Sequence, residues 1–416
     1  MNAKQLIRVL LIVLAALALT ALVAAAQDAP APAKEMPAVI EKGESASPAA
    51  NLNESEPNNS FGTADMMGLA DVVAGKIGVA GDSDYYHIYD DYMPGYTALI
   101  DIDAQINGSP LDAKICVYDQ DFVELTCNDD SDGLDSMLYV YIDDPEDDWE
   151  IHLYVRVQEL NHGNEGGNGY TYTLSVSRPY FVSPVANGTV SGLAFQKGDI
   201  LSRTGYNDGT MKWILFFDAS DLGITQNTNS IDVSTAGAAM VFQGNQAIGG
   251  LGTVTPYDVV WFNATRWGPT TYGWFSNTLL LDGSAVGLSA ASEKIDALVG
   301  NNIISTTGAA AVPAGGGGTL KGRDEDLISL NPSTGKWDMY FDGSTVTGLG
   351  TEDITAADRA SDSVDPWLDF VIQGTGNVNG FPVNQKDIIQ CYAFWPAWTE
   401  PSSEFPFTVD AISFNW

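Results

Sequence analysis

The chain has 416 residues, with 54 Asp and Glu against 18 Lys and Arg and a formal net charge of −36. Such a surface repels nucleic acid and anionic membranes and attracts divalent cations. Glycine is abundant, at 42 residues, and helix-period patterns are scarce after the first 30 residues, so the chain reads as all-β with many turns, in two or three domains.

At the N-terminus, Lys4 and Arg8 lead into the run VLLIVLAALALTALVAAA, and Ala24-Ala25-Ala26 precede Gln27. A positive start, an apolar stretch and small residues at its end predict a secretory signal over residues 1–26. The run is long enough to span a bilayer, so an uncleaved anchor is the alternative. No cysteine follows it to carry a lipid, and no second apolar run is long enough to span. Cleavage would remove two cations, taking the charge from −36 to −38, and leave a secreted or cell-surface chain without a membrane span. Residues 27–50, QDAPAPAKEMPAVIEKGESASPAA, are a Pro/Ala-rich linker with little to bury.

Residues 51–179 carry short alternating segments such as YTALIDIDAQI, AKICVYD, SMLYVYID, EIHLYVRVQE and YTYTLSVS. In TALIDIDAQI, Ala98, Ile100, Ile102, Ala104 and Ile106 face one way; Leu99, Asp101, Asp103 and Gln105 face the other. A period of two predicts a half-buried strand. About seven such strands in this length predict a β-sandwich. In ICVYDQDFVELTC, a turn at Asp121-Phe122 sets Cys116 opposite Cys127, where a cross-strand disulfide is geometrically allowed. Cys391 is left as a buried thiol.

The acid is concentrated: residues 82–148 hold 19 Asp and Glu and one basic residue, Lys114. Upstream, NESEPNNS sets Glu54, Glu56, Asn58 and Asn59 close together, and GDSDYY supplies Asp82 and Asp84 from a neighbouring turn. Clustered oxygen donors without sulfur or imidazole suit Ca2+; the alternative is plain turn chemistry. A second acidic stretch, NDDSDGLDS, offers Asp129, Asp130 and Asp132 but lacks the glutamate that closes a calcium loop, so it reads as a polar hairpin loop.

The succession E-x-E-P-N-N, G-D-x-D-Y, S-P-L-D-A-K-I-C-V-Y-D, N-D-D, L-Y-V-R-V and G-Y-T-Y-T-L resembles the bacterial pre-peptidase C-terminal domain and is similar to the collagen-binding domains of clostridial collagenases. The resemblance covers residues 54–178. It implies a jelly-roll-like β-sandwich stabilised by calcium, with Glu54, Glu56, Asn58, Asn59, Asp84 and Asp82 as ligands. Asn59 stands where an Asp is common. In that family the module usually trails a peptidase, and none precedes it here; collagen binding does not carry over, because no matching surface residues are present.

Residues 186–416 are repetitive. WILFFDAS, WFSNTLLLDGS and WDMYFDGS begin at Trp213, Trp274 and Trp337, 61 and 63 residues apart. After each comes a Gly element, a short strand (SIDV, KIDAL, DITA), an apolar strand, and a closing strand opened by Asp258, Asp326 or Asp387. These are three copies of a four-strand unit. A partial copy with Asp199 precedes them, and Val409-Asp410-Ala411 follows. Half units at both ends predict that residues 190–201 and 407–416 complete one sheet together, closing a propeller-like domain of about four blades. A second β-sandwich or a solenoid is the alternative. The D-G-S-x-V-G-L…I-D-A phrase resembles a repeat domain of secreted bacterial proteins. Asp218, Asp282 and Asp342, and the strand-opening aspartates, read as turn residues; a ring of them lining a channel is the alternative.

No catalytic residue set emerges. His87 and His152 fall in strands and His162 in a Gly/Asn-rich loop; no G-x-S-x-G, H-E-x-x-H or C-x-x-C is present. Trp395 and Trp398, in WPAW, could stack on a sugar. The chain therefore reads as a non-catalytic binding or adhesion protein with calcium as its cofactor. Its partner would be an extracellular protein or polysaccharide, with no nucleic acid. A carboxylate-dependent glycoside hydrolase, or an accessory module of a secreted peptidase system, is the alternative.

Overall fold

The computed structural model describes residues 39–40, 48–90, 96–129, 131, 134–142, 151–160, 165–207, 209–234, 237–359, 367–392, 402–403 and 405–413. All belong to one unit, Met36–Trp416. The signal run, most of the linker, Asp130, Asp132, His162, Trp395 and Trp398 lie outside the described residues. Among the described residues there is no α-helix, and no helix is long and apolar enough to cross a membrane.

Residues 52–177 form two five-stranded sheets. The first runs Asp65–Met67, Ser83–Asp90, Ile151–Glu159, Ala113–Tyr118, Glu124–Asn128; the second runs Leu52–Asn53, Val72–Lys76, Thr171–Ser177, Tyr96–Asp103, Met137–Ile142. The space between them is filled by the alternating apolar positions. Ala98, Ile100, Ile102 and Ala104 meet Leu153, Val155, Val157 and Leu174, all but completely buried. This is the expected β-sandwich.

The other face of TALIDIDAQI is also covered, which the period of two did not predict. Leu99, Met137 and Tyr139 pack with Phe181, Phe216 and Trp267 of the repeat region. Fully buried Lys212 reaches Asp101 Oδ2 at 2.5 Å and Asp103 at 2.9 and 3.0 Å. Asn207 Nδ2 adds a bond to Asp71 at 2.7 Å. The aspartates that looked solvated in the sequence are the counter-charges of an internal lysine.

The repeat region contributes four strands to each of four sheets, one of which gains a fifth strand from the linker. From the innermost strand outward, the first blade is Val409–Ser413, Tyr180–Pro184, Ile200–Gly205, Met211–Phe217. The second is Thr228–Ser234, Gly237–Phe242, Val260–Trp267, Tyr272–Phe275. The third is Ile295–Val299, Ile303–Thr306, Leu327–Asn331, Lys336–Phe341. The fourth is Ile354–Arg359, Trp367–Ile372, Asp387–Tyr392, Ser402–Ser403. The four innermost strands touch one another in cyclic order, so the four sheets stand in a ring. Val39–Ile40, from the linker, runs parallel beside Arg266 and Trp267.

The closing contact differs from the expected one. Val409–Ser413 pairs with Tyr180–Pro184, not with residues 190–201. The latter span the hairpin Gly188–Val190/Leu193–Phe195 and the start of the next strand. YFVSP is short and ends in a proline, a poor signal for a strand. The ladder tolerates Pro184 because its register shifts between Ser183 and Pro184. The ring therefore begins at 180 rather than 186. Similar hairpins, Gln246–Ile248/Gly252–Val254, Ala310–Pro313/Thr319–Gly322 and Thr375–Val378/Phe381–Asn384, sit between the second and third strands of the other blades.

Three features of the repeated phrase have direct physical causes. Each strand-opening Asp clamps backbone N–H groups: Asp199 accepts from Gln196 and Ala219, Asp258 from Thr255 and Gly283, and Asp326 from Arg323 and Gly343. Asp387 accepts from Asn384. The turn aspartates bond their own Ser: Asp218 to Ser220, Asp282 to Ser284, Asp342 to Ser344. The glycines that follow, Gly223, Gly287 and Gly348, have φ of 68°, 101° and 87°, which disfavours any side chain. Trp213 and Trp337 are buried, whereas Trp274 is 58% exposed, since its strand stops at Phe275.

Every innermost strand carries one bulge, at Asp410, Asn229, Asp296 and Thr355. The sequence aligned Asp232 of SIDV with Asp296 of KIDAL. The bulges place Asn229 there instead, and Asp232 lies three residues further along, level with Val299 and Asp358.

Candidate functional site

The acidic segment lies across one edge of the sandwich. Glu54 N–H continues the pairing of Leu52–Asn53 by donating to Ala74 O. Ser55 N–H donates to Asp65 Oδ2 at 2.7 Å, and Tyr85 N–H to Asn58 O at 3.0 Å. These bonds bring Glu56, Asp82 and Asp84 together, with one oxygen of each within 4.8 Å of the others. Asp82 is held by Gly78 N–H (2.8 Å), and Asp84 by Tyr172 Oη (2.5 Å). Glu54 stands at the margin, anchored by Lys76 N–H at 3.0 Å. Asp65 and Tyr172 hold the cluster in place, and nothing in their local sequence marks them.

The two asparagines complete the cluster. Asn58 is fully buried, and its amide lies 3.2 Å from Asp84 Oδ1 and 3.3 Å from Glu56 Oε2. The Asn59 amide lies 3.1 Å from Asp82 Oδ1 and 3.3 Å from Ser83 O. Turned nitrogen-inward, each amide donates to the carboxylates. Turned oxygen-inward, it joins an all-oxygen donor set of the kind that binds a cation. The donor chemistry fits a hard divalent ion such as calcium.

Burial, and then the charges of Glu54, Asp82 and Glu56, push the Asp84 carboxyl up to about 8 against the bond from Tyr172. Burial also raises Glu54. The folded chain thus holds a proton that the unfolded chain has released. Between the ordinary carboxylate range and pH 8, stability without metal falls as pH rises. A bound cation would displace that proton, so its affinity would grow over the same interval. In chelator the melting temperature is expected to be higher at pH 5.5 than at pH 8. The increment given by calcium, about 2.7 kcal/mol at a hundredfold excess over Kd, is expected to be larger at pH 8. Scanning calorimetry at the two pH values checks both.

The second acidic stretch is an ordinary loop where it is described. Its buried Asp135 accepts N–H bonds from Ala104, Gln105 and Ile106, and Asn128 Nδ2 bonds Ser131 and Met137 O. Cys116 and Cys127 face each other in the ladder and are joined as a disulfide. Cys391 is buried and forms no disulfide among the described residues.

A further surface lies on the outward face of the first sheet. Tyr85, His87 and Tyr89 alternate outward from one strand, His152, Tyr154 and Arg156 from the next. Phe61, which follows the acidic segment, has ring centroids of Phe122, Tyr85, Tyr118 and Tyr154 within 4.5–5.5 Å. His87 stacks on Tyr154 at 4.4 Å and on His152 at 5.1 Å, and the Arg156 guanidinium lies over Tyr118. Phe122, Val123 and Leu125 extend the stripe, 46–58% exposed. Single strands showed these residues as outward neighbours of core positions; only the pairing of the strands makes them a continuous stripe.

No family model matches the chain, and no curated protein matches it. Among solved structures, it is similar to the pre-peptidase C-terminal domain of a collagenase from Bacillus anthracis, at 15% identity and a TM-score of 0.22, over 27% of this chain and 94% of that one.

Proposed function

We propose that the protein is a secreted, non-catalytic binding module that recognises an extracellular protein or glycan through the aromatic stripe of its sandwich. The stripe carries this reading. Contiguous Phe, Tyr and His rings with an exposed apolar hairpin are what polymer and protein interfaces use as anchors. Calcium at Glu56, Asp82, Asp84, Asn58 and Asn59 would supply positive charge to the acidic cluster and thereby fix the segment that carries Phe61. Export fits the apolar N-terminal run, the disulfide and the acidic surface. The repeat ring serves as the rigid body on which the sandwich is mounted.

A hydrolase would need paired carboxylates beside room for a substrate. Asp232 and Asp358 do line a cavity with Arg359, but its volume is about 140 Å3, below the roughly 300 Å3 at which small-molecule sites begin. Co-sedimentation with insoluble protein fibres and polysaccharides tests the proposal. Retention on one of them, weakened about tenfold or more in Phe122→Ala and Tyr154→Ala, is expected. Equal retention of wild type and both variants would remove the stripe from the function.

A further inference from the structure

The four bulges define two equivalent positions at each seam between neighbouring blades: the bulged residue of one innermost strand, and the residue two places before the bulge of the next. At the first seam Asp410 accepts a bond from Asn227 Nδ2. At the second, Asn229 Nδ2 donates to the carbonyl of Ile295, next to Lys294. The same positions at the fourth hold Thr355, whose hydroxyl donates to Val371 O, and Thr408. Each offers a hydrogen-bond donor.

The third seam does not. Its two positions hold Asp296 and Asp353, with their carboxylates within hydrogen-bonding reach of each other. Asp296 is 3% exposed, and no side-chain donor reaches either of its oxygens; Asp353 Oδ1 also has none. Asp324, whose carbonyl receives Ile354 N–H at 2.9 Å, adds a third negative charge to both. Among the described residues no Lys or Arg pairs with Asp296 or Asp353; Arg323 is exposed and turned to Glu325. A buried carboxylate in such company is neutralised either by a proton or by a positive partner. The first seam shows how the same position is satisfied by an amide, and Asp353 stands where Asn227 stands there.

We propose that Asp296 and Asp353 hold a hard divalent cation, calcium in an extracellular setting, which ties the third blade to the fourth. Oxygen donors alone, with water completing the shell, suit that ion. The site is independent of the one on the sandwich.

Calcium titration calorimetry on the full chain tests it. In the Glu56→Gln/Asp84→Asn protein, one equivalent of calcium is still expected to bind, and adding Asp353→Asn is expected to abolish it. Asp353→Asn alone re-creates the Asp–Asn pair of the first seam. It is therefore expected to raise the melting temperature in chelator by about 2–4 °C and to lose one of the wild-type equivalents. Should the sandwich variant fail to fold, the drop in stoichiometry between wild type and Asp353→Asn decides the matter. An unchanged stoichiometry in Asp353→Asn, or the absence of any equivalent in the sandwich variant, would overturn the proposal; the pair then shares a proton instead.

Discussion

Lys212→Ala is expected to cost about 3–5 kcal/mol, because it leaves Asp101 and Asp103 charged and buried without their cation. The lysine comes from the outer strand of the first blade and both carboxylates from the sandwich, so the loss falls on the contact between the two parts. Calorimetry should show a lower main transition that separates into two. The ion triad is not the only adhesive there, since Leu99, Met137 and Tyr139 bury against Phe181 and Phe216. Hence Lys212→Met with Asp101→Leu and Asp103→Leu should recover most of the loss, as apolar replacements of buried ion pairs commonly do. A single variant as stable as wild type would mean that water reaches the triad.

Deleting residues 409–416 is expected to abolish folding of the ring. Val409, Ala411, Ile412 and Ser413 are at most 2% exposed, and their strand touches both neighbouring innermost strands as well as Tyr180–Pro184. Burial of Val and Ile alone amounts to about 1.5–3 kcal/mol each. The deletion also bares the ladder edge of Tyr180–Pro184, which invites aggregation. A synthetic peptide of residues 405–416 should restore a monomeric, cooperatively melting chain. Size-exclusion chromatography and calorimetry report both outcomes, and a deleted chain that melts like wild type would show that closure contributes nothing.

The fold was legible where one strand's pattern depends on one face. Ala98, Ile100 and Ile102 announced the sandwich core, and the recurring Asp-Gly-Ser announced the blades. What escaped depended on partners distant in the chain. Asp101 and Asp103 carry the composition of a solvated face, and only Lys212, 109 and 111 residues away, makes them internal. Asp232 was aligned with Asp296 because I-D recurs, whereas backbone bulges, which leave no residue signature, set the true equivalence. In the acidic cluster Glu56, Asn58, Asp82 and Asp84 were readable from their density along the chain. Tyr172 was not, being 88 residues from Asp84 in sequence and 2.5 Å from it in space.

The account depends on the acidic segment being fixed by a bound cation rather than by its own turns. Amide hydrogen exchange of residues 53–61, followed in calcium and in chelator, tests this most directly. Calcium should slow exchange across Glu54 to Phe61 by about a hundredfold, the factor that corresponds to roughly 2.7 kcal/mol of linked binding, and Glu56→Gln/Asp84→Asn should erase the difference. Identical exchange with and without calcium in the wild-type protein would contradict the account.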